Sequence, residues 1–388
     1  MPNDAGTIGV VGGGQLALML CEAGQARGLS VAIQSASEQD PAAASAQHQV
    51  LGAPTDATAT ASLSGYCNGI TFENEWIPVD ALLELERDGV SFKPSIQSLK
   101  PLVNKLSQRR LLDDLDLPSP DWVGLDEIDL KTFALPDDWR FPVMAKAGHG
   151  GYDGKGTRVI KDRFALSELL SSVDAKDWLL EAWVPYDREL ALVVSRDQQG
   201  RIRSFPLVET HQNSQVCDWV LAPAPADQLL EATAYNIAAS LLTHLNYVGV
   251  MALEFFYGPQ GLMVNEVAPR THNSGHFSIE ACSSSQFDQQ LCITAGLPVP
   301  ATELVVPGAL MVNLLGLASD AEVSVDERLT ALQTIPGAHV HWYGKQEMPG
   351  RKVGHVTVVL QQPDFDDRDR ESREVLERIR SVWPNPLE

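Results

Sequence analysis

A chain of 388 residues with 44% hydrophobic content can bury several cores, so roughly two or three domains are expected. Its formal charge of −22 disfavours non-specific binding to nucleic acid or an anionic membrane, and any anionic substrate must meet a locally basic pocket. The five cysteines show no CxxC or paired-ligand spacing, MPNDAGTIGVV lacks a basic n-region, and no apolar run approaches membrane-spanning length; a reduced cytoplasmic protein without structural zinc is expected.

In chain order, TIGVVGGG (7–14) reads as a strand ending in glycines, LALMLCEAGQARG as a helix and LSVAIQS as a second strand, the opening of an α/β unit. Gly12, Gly14 and Ala17 fit the G-x-G-x-x-G/A spacing, but Gln34 stands where a ribose-binding acid is needed, so a nicotinamide cofactor is disfavoured. A tight turn required only for packing has comparable weight. ITFENE (70–75) reads as a later strand with acidic residues at its end. Prolines 94, 101, 118 and 120 punctuate the helical KLSQRRLLDDLDL, which leads into a second unit. From 141 the pattern is strand (FPVMAK), glycine loop (GHGGYDGKG), strand (TRVIK), helix (RFALSELLSS) and strand (WLLEAWV). Strands in ELALVVSR and IRSFPLVE and a helix in EATAYNIAASLLTHL follow. From about 301, ALMVNLLG, HVHWYGK and GHVTVVL suggest a small β-rich lobe, and DFDDRDRESREVLERIRSVW a solvated terminal helix. The expected class is a multidomain α/β and α+β protein, divided at 1–104, 105–300 and 301–388.

The glycine loop at 148–156 has His149 and Gly156 where a Walker A loop needs Gly and Ser or Thr, and a strand rather than a helix follows it. It reads instead as a flap whose backbone N–H groups close over phosphates, with Lys146 and Lys155 supplying positive charge. Glu181 and Glu189 flank Ala182-Trp183-Val184, whose backbone can pair with an adenine edge while a carboxylate accepts ribose hydroxyls.

The segment 250–276, VMALEFFYGPQGLMVNEVAPRTHNSGH, is more informative. Two apolar runs flank Gly258-Pro259-Gln260-Gly261, the signature of a hairpin. Glu254 and Glu266 each lie six residues from Gln260, so they are expected nearly opposite one another across the ladder. Facing carboxylates repel, and a hard divalent cation carrying phosphate oxygens removes that penalty. Asn265 adds a neutral oxygen, while Arg270, His272, Asn273, Ser274 and His276 crowd the exit of the second strand. A solvated polar sheet face is the alternative, against which the flanking Val, Met, Leu and Phe argue.

With GGGQL, TFENE, GGYDGKG, NEVAPRTHNSGH, SQF and PGRKVGH spread over nearly its whole length, the chain resembles the ATP-grasp superfamily and, within it, the N5-carboxyaminoimidazole ribonucleotide synthase (PurK) family of purine biosynthesis. The resemblance implies an ATP-grasp fold with an N-terminal Rossmann-like domain and a small C-terminal β-rich lobe. ATP would lie between Lys105, Lys146, the flap residues Gly150, Gly151, Tyr152, Asp153, Gly154, Lys155 and Gly156, the segment Glu181, Ala182, Trp183 and Val184, Glu189, and the pair Asn265 and Glu266, with His211 a further ligand. Mg2+ or Mn2+ would be held by Glu254 and Glu266. Bicarbonate would attack the γ-phosphate, and the resulting carboxyphosphate would carboxylate the amine of 5-aminoimidazole ribonucleotide. Lys146, Lys155 and Arg270 would offset the developing negative charge. Asp153 would take the amine proton, with His272 or His276 the second choice. The ribonucleotide phosphate would meet Lys345, Arg351 and Lys352, with Gln15 and the first glycine loop opposite. Tyr152, Asp153, Arg270, Asn273, Ser274 and His276 would complete that pocket. A homodimer is implied.

The chain departs from the family pattern at Ala17-Leu18 (for Gly-Arg), Ala147-Gly148, Thr210 and Gln212, Gln290 and Cys292, and Met348. Each lost cation is expected to weaken anion binding by about 1–3 kcal/mol where it was buried and hydrogen-bonded. Another ATP-grasp ligase, joining a small carboxylate such as formate to a different amine, is the alternative enzyme. A regulatory nucleotide-binding protein is the non-catalytic one; the retained Glu254, Glu266, Lys146, flap glycines and Arg270 argue against it.

Overall fold

The computed structural model describes residues 6–129, 132, 134–136, 138–150, 156–317 and 323–387. Its strands fall into three sheets. The first is parallel, β1 (Ile8–Val11), β2 (Val31–Ser35), β3 (His48–Leu51) and β4 (Gly69–Phe72), in the order β3-β2-β1-β4. Strands β1, β2 and β4 are buried throughout, which explains their near-continuous apolar sequence. The second sheet is antiparallel: β5 (Trp122–Gly124), β6 (Val143–Ala147), β7 (Thr157–Ile160) and β8 (Trp178–Glu181), ordered β5-β8-β6-β7. The glycine loop joins β6 to β7.

The third sheet holds β9 (Arg188–Arg196), β10 (Ile202–Ser204), β11 (Val208–Asn213), β12 (Val216–Ala222), β13 (Gly249–Gly258), β14 (Gly261–Ala268), β15 (Gly308–Leu315), β16 (Ala338–Trp342) and β17 (Lys352–Leu360). Its order is β14-β13-β9-β11-β12-β15-β17-β16, with β10 added beside β9. The pairing of β12 with β15, Trp219 opposite Val312, carries this sheet across residue 300 without a break. The late strands therefore extend the central sheet rather than form a separate one.

Local chemistry sets the helix entries around the cleft. The Asn104 side chain accepts from Leu106 and Ser107 N–H, which fixes Lys105 as the first residue of the helix Lys105–Asp114. Ser285 and Asp288 make a capping box on Gln286–Ala295, which ends at left-handed Gly296, φ 69°. The terminal helix Phe365–Val382 is not simply solvated. Val375 and Ile379 are buried on one face and Trp383, just beyond it, is fully buried, its indole N–H donating to Leu315 O at 2.8 Å. Its charge alternation marks only the outer face. One apolar cluster joins Phe72, Phe92 and Leu99 of the first unit to Leu190, Leu253 and Val264 of the central sheet, so these two units share a core.

Candidate active site

The hairpin of β13 and β14 closes through Gly258 opposite Gly261, and Gly261 takes φ 87°, a conformation glycine adopts without strain. Counting back from this tip would set Glu254 against Asn265, but a β-bulge between Glu254 and Phe255 shifts the register so that Glu254 faces Glu266. The side chains keep 27% and 33% of their surface open. Burial, and then the charge of Glu266, push Glu254 up to about 7. Burial also works against ionised Glu266, but Lys105, whose Nζ lies 2.6 Å from Glu266 Oε2, outweighs it and holds that carboxyl low. The hairpin thus carries one fixed carboxylate and one whose charge lacks a full counterion.

A buried ion network lies beside it. Glu181, at the end of β8, is 3% exposed; its Oε1 accepts from Arg109 Nε at 2.7 Å and its Oε2 lies 2.7 Å from Lys146 Nζ. Lys146 also donates to Asn265 Oδ1 at 2.9 Å. Burial pulls Lys146 down, Glu181 opposes it, and Arg109 and Lys105 add to the fall. Arg109 further donates to the main-chain oxygens of Val264 (3.0 Å) and Asn265 (2.6 Å), and Gln108 clamps Val267 N–H and C=O at 2.9 Å each. These two residues hold the strand that carries Asn265 and Glu266. Sequence analysis missed them, although Leu106, Arg109 and Leu112 share a helix face at spacing three and thereby place a guanidinium on the apolar side.

Glu181 was expected as one of two carboxylates beside a ribose. Its oxygens are instead taken by Arg109 and Lys146, so it orients Lys146, and Glu189 is the carboxylate left for hydroxyls. Glu189 Oε1 accepts from the half-exposed Tyr186 hydroxyl at 2.7 Å, and burial raises its carboxyl. Between them, Ala182 N–H donates to Asp121 O, Trp183 is exposed and Val184 half-buried. His211 stacks on Trp219 with ring centroids 5.2 Å apart. Exposed Gly150 has φ 73°, and Gly156 accepts from Ala147 N–H at 2.8 Å. Gly151, Tyr152, Asp153, Gly154 and Lys155 lie outside the described residues.

The first unit supplies a second wall. Glu73, absent from the expected site, fills the first glycine loop: its Oε2 accepts from Gly14 N–H at 2.7 Å and its Oε1 from Leu16 N–H at 3.3 Å. A Cβ on Gly14 would lie 2.3 Å from Glu73 Oε1, so glycine is required for this approach. The anion suited to a helix N-terminus is therefore an internal carboxylate, which accounts for a dinucleotide-like spacing without a dinucleotide. Glu75 grips Arg270, Nε to Oε2 at 2.6 Å; burial opposes the guanidinium charge but Glu75 outweighs it. Lys345 donates to Gln15 Oε1, bringing those two predicted residues together across 330 positions. Lys352, the half-buried first residue of the largely buried β17, acts electrostatically on Glu254.

Other expected ligands sit differently. His272 Nε2 lies 3.5 Å from Glu254 Oε1 and its Nδ1 2.9 Å from the buried Ser274 Oγ, so this imidazole adjoins the carboxylate pair. Asn273 exchanges amide hydrogen bonds with buried Asn313 at 2.9 and 2.8 Å, a packing role. His276 is fully buried, beside Gln286, Phe287 and His355, and does not line the cleft. Arg351 is exposed and donates to Gln346 O within its own loop at 3.3 Å. The departures at Ala17, Leu18, Gln290 and Cys292 fall on buried positions, and a Cβ on Gly148 would already lie 2.8 Å from Asn104 Nδ2. Met348 is exposed.

Among the described residues, no cluster of three or more His, Cys, Asp or Glu side chains suits a metal ion. Paired hard oxygens, part open to solvent and beside Lys105 and Lys146, do fit Mg2+ or Mn2+, which take one or two carboxylates and complete their shell with phosphate oxygens and water.

Fold and cleft together define an ATP-grasp enzyme: residues 110–287 match the ATP-grasp domain, 5–101 the ribonucleotide synthetase preATP-grasp domain and 309–365 the phosphoribosylaminoimidazole carboxylase C-terminal domain. Over 380 residues, 98% of this chain and 96% of the relative, it is 45% identical to N5-carboxyaminoimidazole ribonucleotide synthase of Synechococcus elongatus. The chain belongs to the N5-carboxyaminoimidazole ribonucleotide synthase family. The solved synthetase from Thermus thermophilus superposes with TM-score 0.83 at 32% identity, covering 97% of this chain and 98% of that one. The synthase from Aspergillus clavatus in complex with ADP and 5-aminoimidazole ribonucleotide gives 0.86 at 28% identity, covering 97% and 99%.

Proposed function

We propose that this chain uses ATP and bicarbonate to carboxylate 5-aminoimidazole ribonucleotide on its exocyclic nitrogen, releasing ADP and phosphate, in purine biosynthesis. The observation that carries this is Glu254 facing Glu266 with Lys105, Lys146 and Asn265 around them. Glu254 and Glu266 would hold Mg2+ or Mn2+, which when bound neutralises phosphate charge and polarises the transferring oxygens. Lys146, held by Glu181 and Asn265, points a fixed positive charge at the phosphates, and Lys105 adds a second. Glu189 accepts the ribose hydroxyls of ATP.

Bicarbonate attacks the γ-phosphorus, the bond to ADP breaks, and carboxyphosphate forms. Carbon dioxide from that intermediate joins the amine as phosphate leaves. Arg270, fixed by Glu75, is placed to hold anionic oxygens through this step, and Asp153 takes the amine proton, with His272 the alternative. Gln15 and Lys345 hold the ribonucleotide from the first unit and the C-terminal strands. The chain is proposed to divide at residues 104/105 and 300/301, with the central sheet continuing through the second boundary. Assembly as a homodimer in the cytoplasm is part of the proposal; no helix of the described residues is long and apolar enough to cross a membrane.

The test is ADP release by the purified protein with ATP and Mg2+, with bicarbonate and the ribonucleotide added or omitted. Stimulation that requires both supports the proposal. Stimulation only by formate and another amine assigns the alternative ligase, and tight ATP binding without turnover assigns the regulator.

A further inference from the structure

Lys345 is proposed to hold the ribonucleotide phosphate, but a lysine on a four-carbon stem is a mobile charge, and a phosphate site gains when that charge is fixed beforehand. The Lys345 Nζ lies 5.6 Å from the centroid of the Tyr343 ring, within the range of a cation–π contact, while donating to Gln15 Oε1. The ring itself has little freedom. Tyr343 is 3% exposed and packs into the apolar cluster of the first unit with Leu16, Ala17 and Phe287, although it belongs to the C-terminal part of the chain. Its N–H donates to Val353 O at 3.0 Å, and its hydroxyl lies 2.7 Å from His355 Nδ1.

His355 is fully buried and wedged in turn. Its ring stacks on His341 at 4.3 Å with planes 7° apart and meets His276 at 4.8 Å, and His341 Nε2 is tied to Glu280 Oε1 at 2.7 Å. His276 and His355, which do not line the cleft, thus form with His341 the rear support of one aromatic ring. That ring presents its face to the ammonium group opposite the first glycine loop.

We infer that Tyr343 is a positioning residue for the ribonucleotide phosphate, its ring face holding the Lys345 ammonium beside Gln15 and its hydroxyl anchoring the ring to His355. The inference rests on the proposed role of Lys345.

Four variants test it in steady-state assays of both KM values: Lys345→Ala, Tyr343→Phe, Tyr343→Leu, and Tyr343 replaced by 3,4,5-trifluorophenylalanine, which keeps the ring's shape but weakens its negative face. Lys345→Ala should raise the ribonucleotide KM by about tenfold or more. Tyr343→Phe, which loses the anchor to His355 but keeps the face, should rise by about two- to threefold, whereas the leucine and trifluoro variants should rise about 5- to 30-fold, all with the ATP KM unchanged. The trifluoro variant keeps the test valid if leucine prevents folding. An unchanged ribonucleotide KM in Lys345→Ala removes the phosphate role of Lys345 and this inference with it. A rise in Lys345→Ala with none in the trifluoro variant overturns the inference alone, as does an equal rise in both KM values.

Discussion

Replacing Arg109 by methionine, which keeps the apolar stem and removes the fork, isolates what holds the catalytic strand in register. Arg109 is 3% exposed and its guanidinium serves a buried carboxylate and two main-chain oxygens on either side of Asn265. In the variant, Glu181 keeps only Lys146 as counterion, and the carbonyls of Val264 and Asn265 lose their donor. Breaking a buried pair by removing one partner costs about 3–5 kcal/mol, far more than the pair contributes relative to an apolar replacement. At about 2 °C per kcal/mol for a large domain, thermal unfolding should shift down by about 6–10 °C. Turnover should fall as well, because Lys146 is drawn fully onto Glu181 and Asn265 shifts with its strand. Arg109→Lys restores charge but not the fork and should recover only part of the loss. Adding Glu181→Leu to Arg109→Met strands the buried Lys146 ammonium in turn and should return no stability. A shift under about 2 °C with unchanged ATP KM would refute the reasoning, since the network would then hold neither the fold nor the lysine.

Glu266→Gln should abolish ADP release while leaving the fold intact, because one carboxylate cannot hold the cation and the reactants equally well; near-native rates would remove the metal assignment. Arg351→Ala should raise the ribonucleotide KM less than Lys345→Ala, since Arg351 is exposed and bonded within its own loop; equal effects would place the phosphate beside both. Stability should depend on pH through Glu181: burial opposes its charge, but Arg109 and Lys146 hold its carboxyl below the ordinary 4.5. The unfolded chain then binds the proton first, so the contribution is full above about 4.5 and disappears as pH falls through the lower folded value. Urea unfolding of the native protein and Glu181→Gln should therefore differ most near neutrality and converge in acid; a gap that is constant with pH contradicts the ion network.

The hairpin was legible because turn residues set its tip, and the strands of the first sheet by their apolar runs. Counting brought Glu254 and Glu266 near one another, but their direct facing depends on a bulge beside Glu254 that local pattern does not show. What local pattern does not contain is the identity of partners contributed from far along the chain. Glu181 looked like an open carboxylate because its cations, Arg109 and Lys146, lie 72 and 35 positions away. Glu73 was read only as a charge at a strand end, since nothing local shows that Gly14 lies above it. The terminal helix was read by its charges, and its buried stripe of Val375 and Ile379 was outweighed in that count. His276 stands in a motif dense with cleft residues, yet a turn at Asn273–Gly275 carries it into the core.

An acidic protein that must bind anionic substrates meets a conflict that this cleft resolves by pairing. Lys105 is held by Glu266, Lys146 by Glu181 and Arg270 by Glu75, so each cation is fixed by an acid before any ligand arrives. Such pairs contribute little to stability as isolated contacts, but they remove the entropy of ordering long side chains from the binding step. Glu254 is the exception, because its nearest strong electrostatic neighbour is another carboxylate. We propose that this is where a divalent cation binds, a triphosphate being the partner whose oxygens complete that cation's shell.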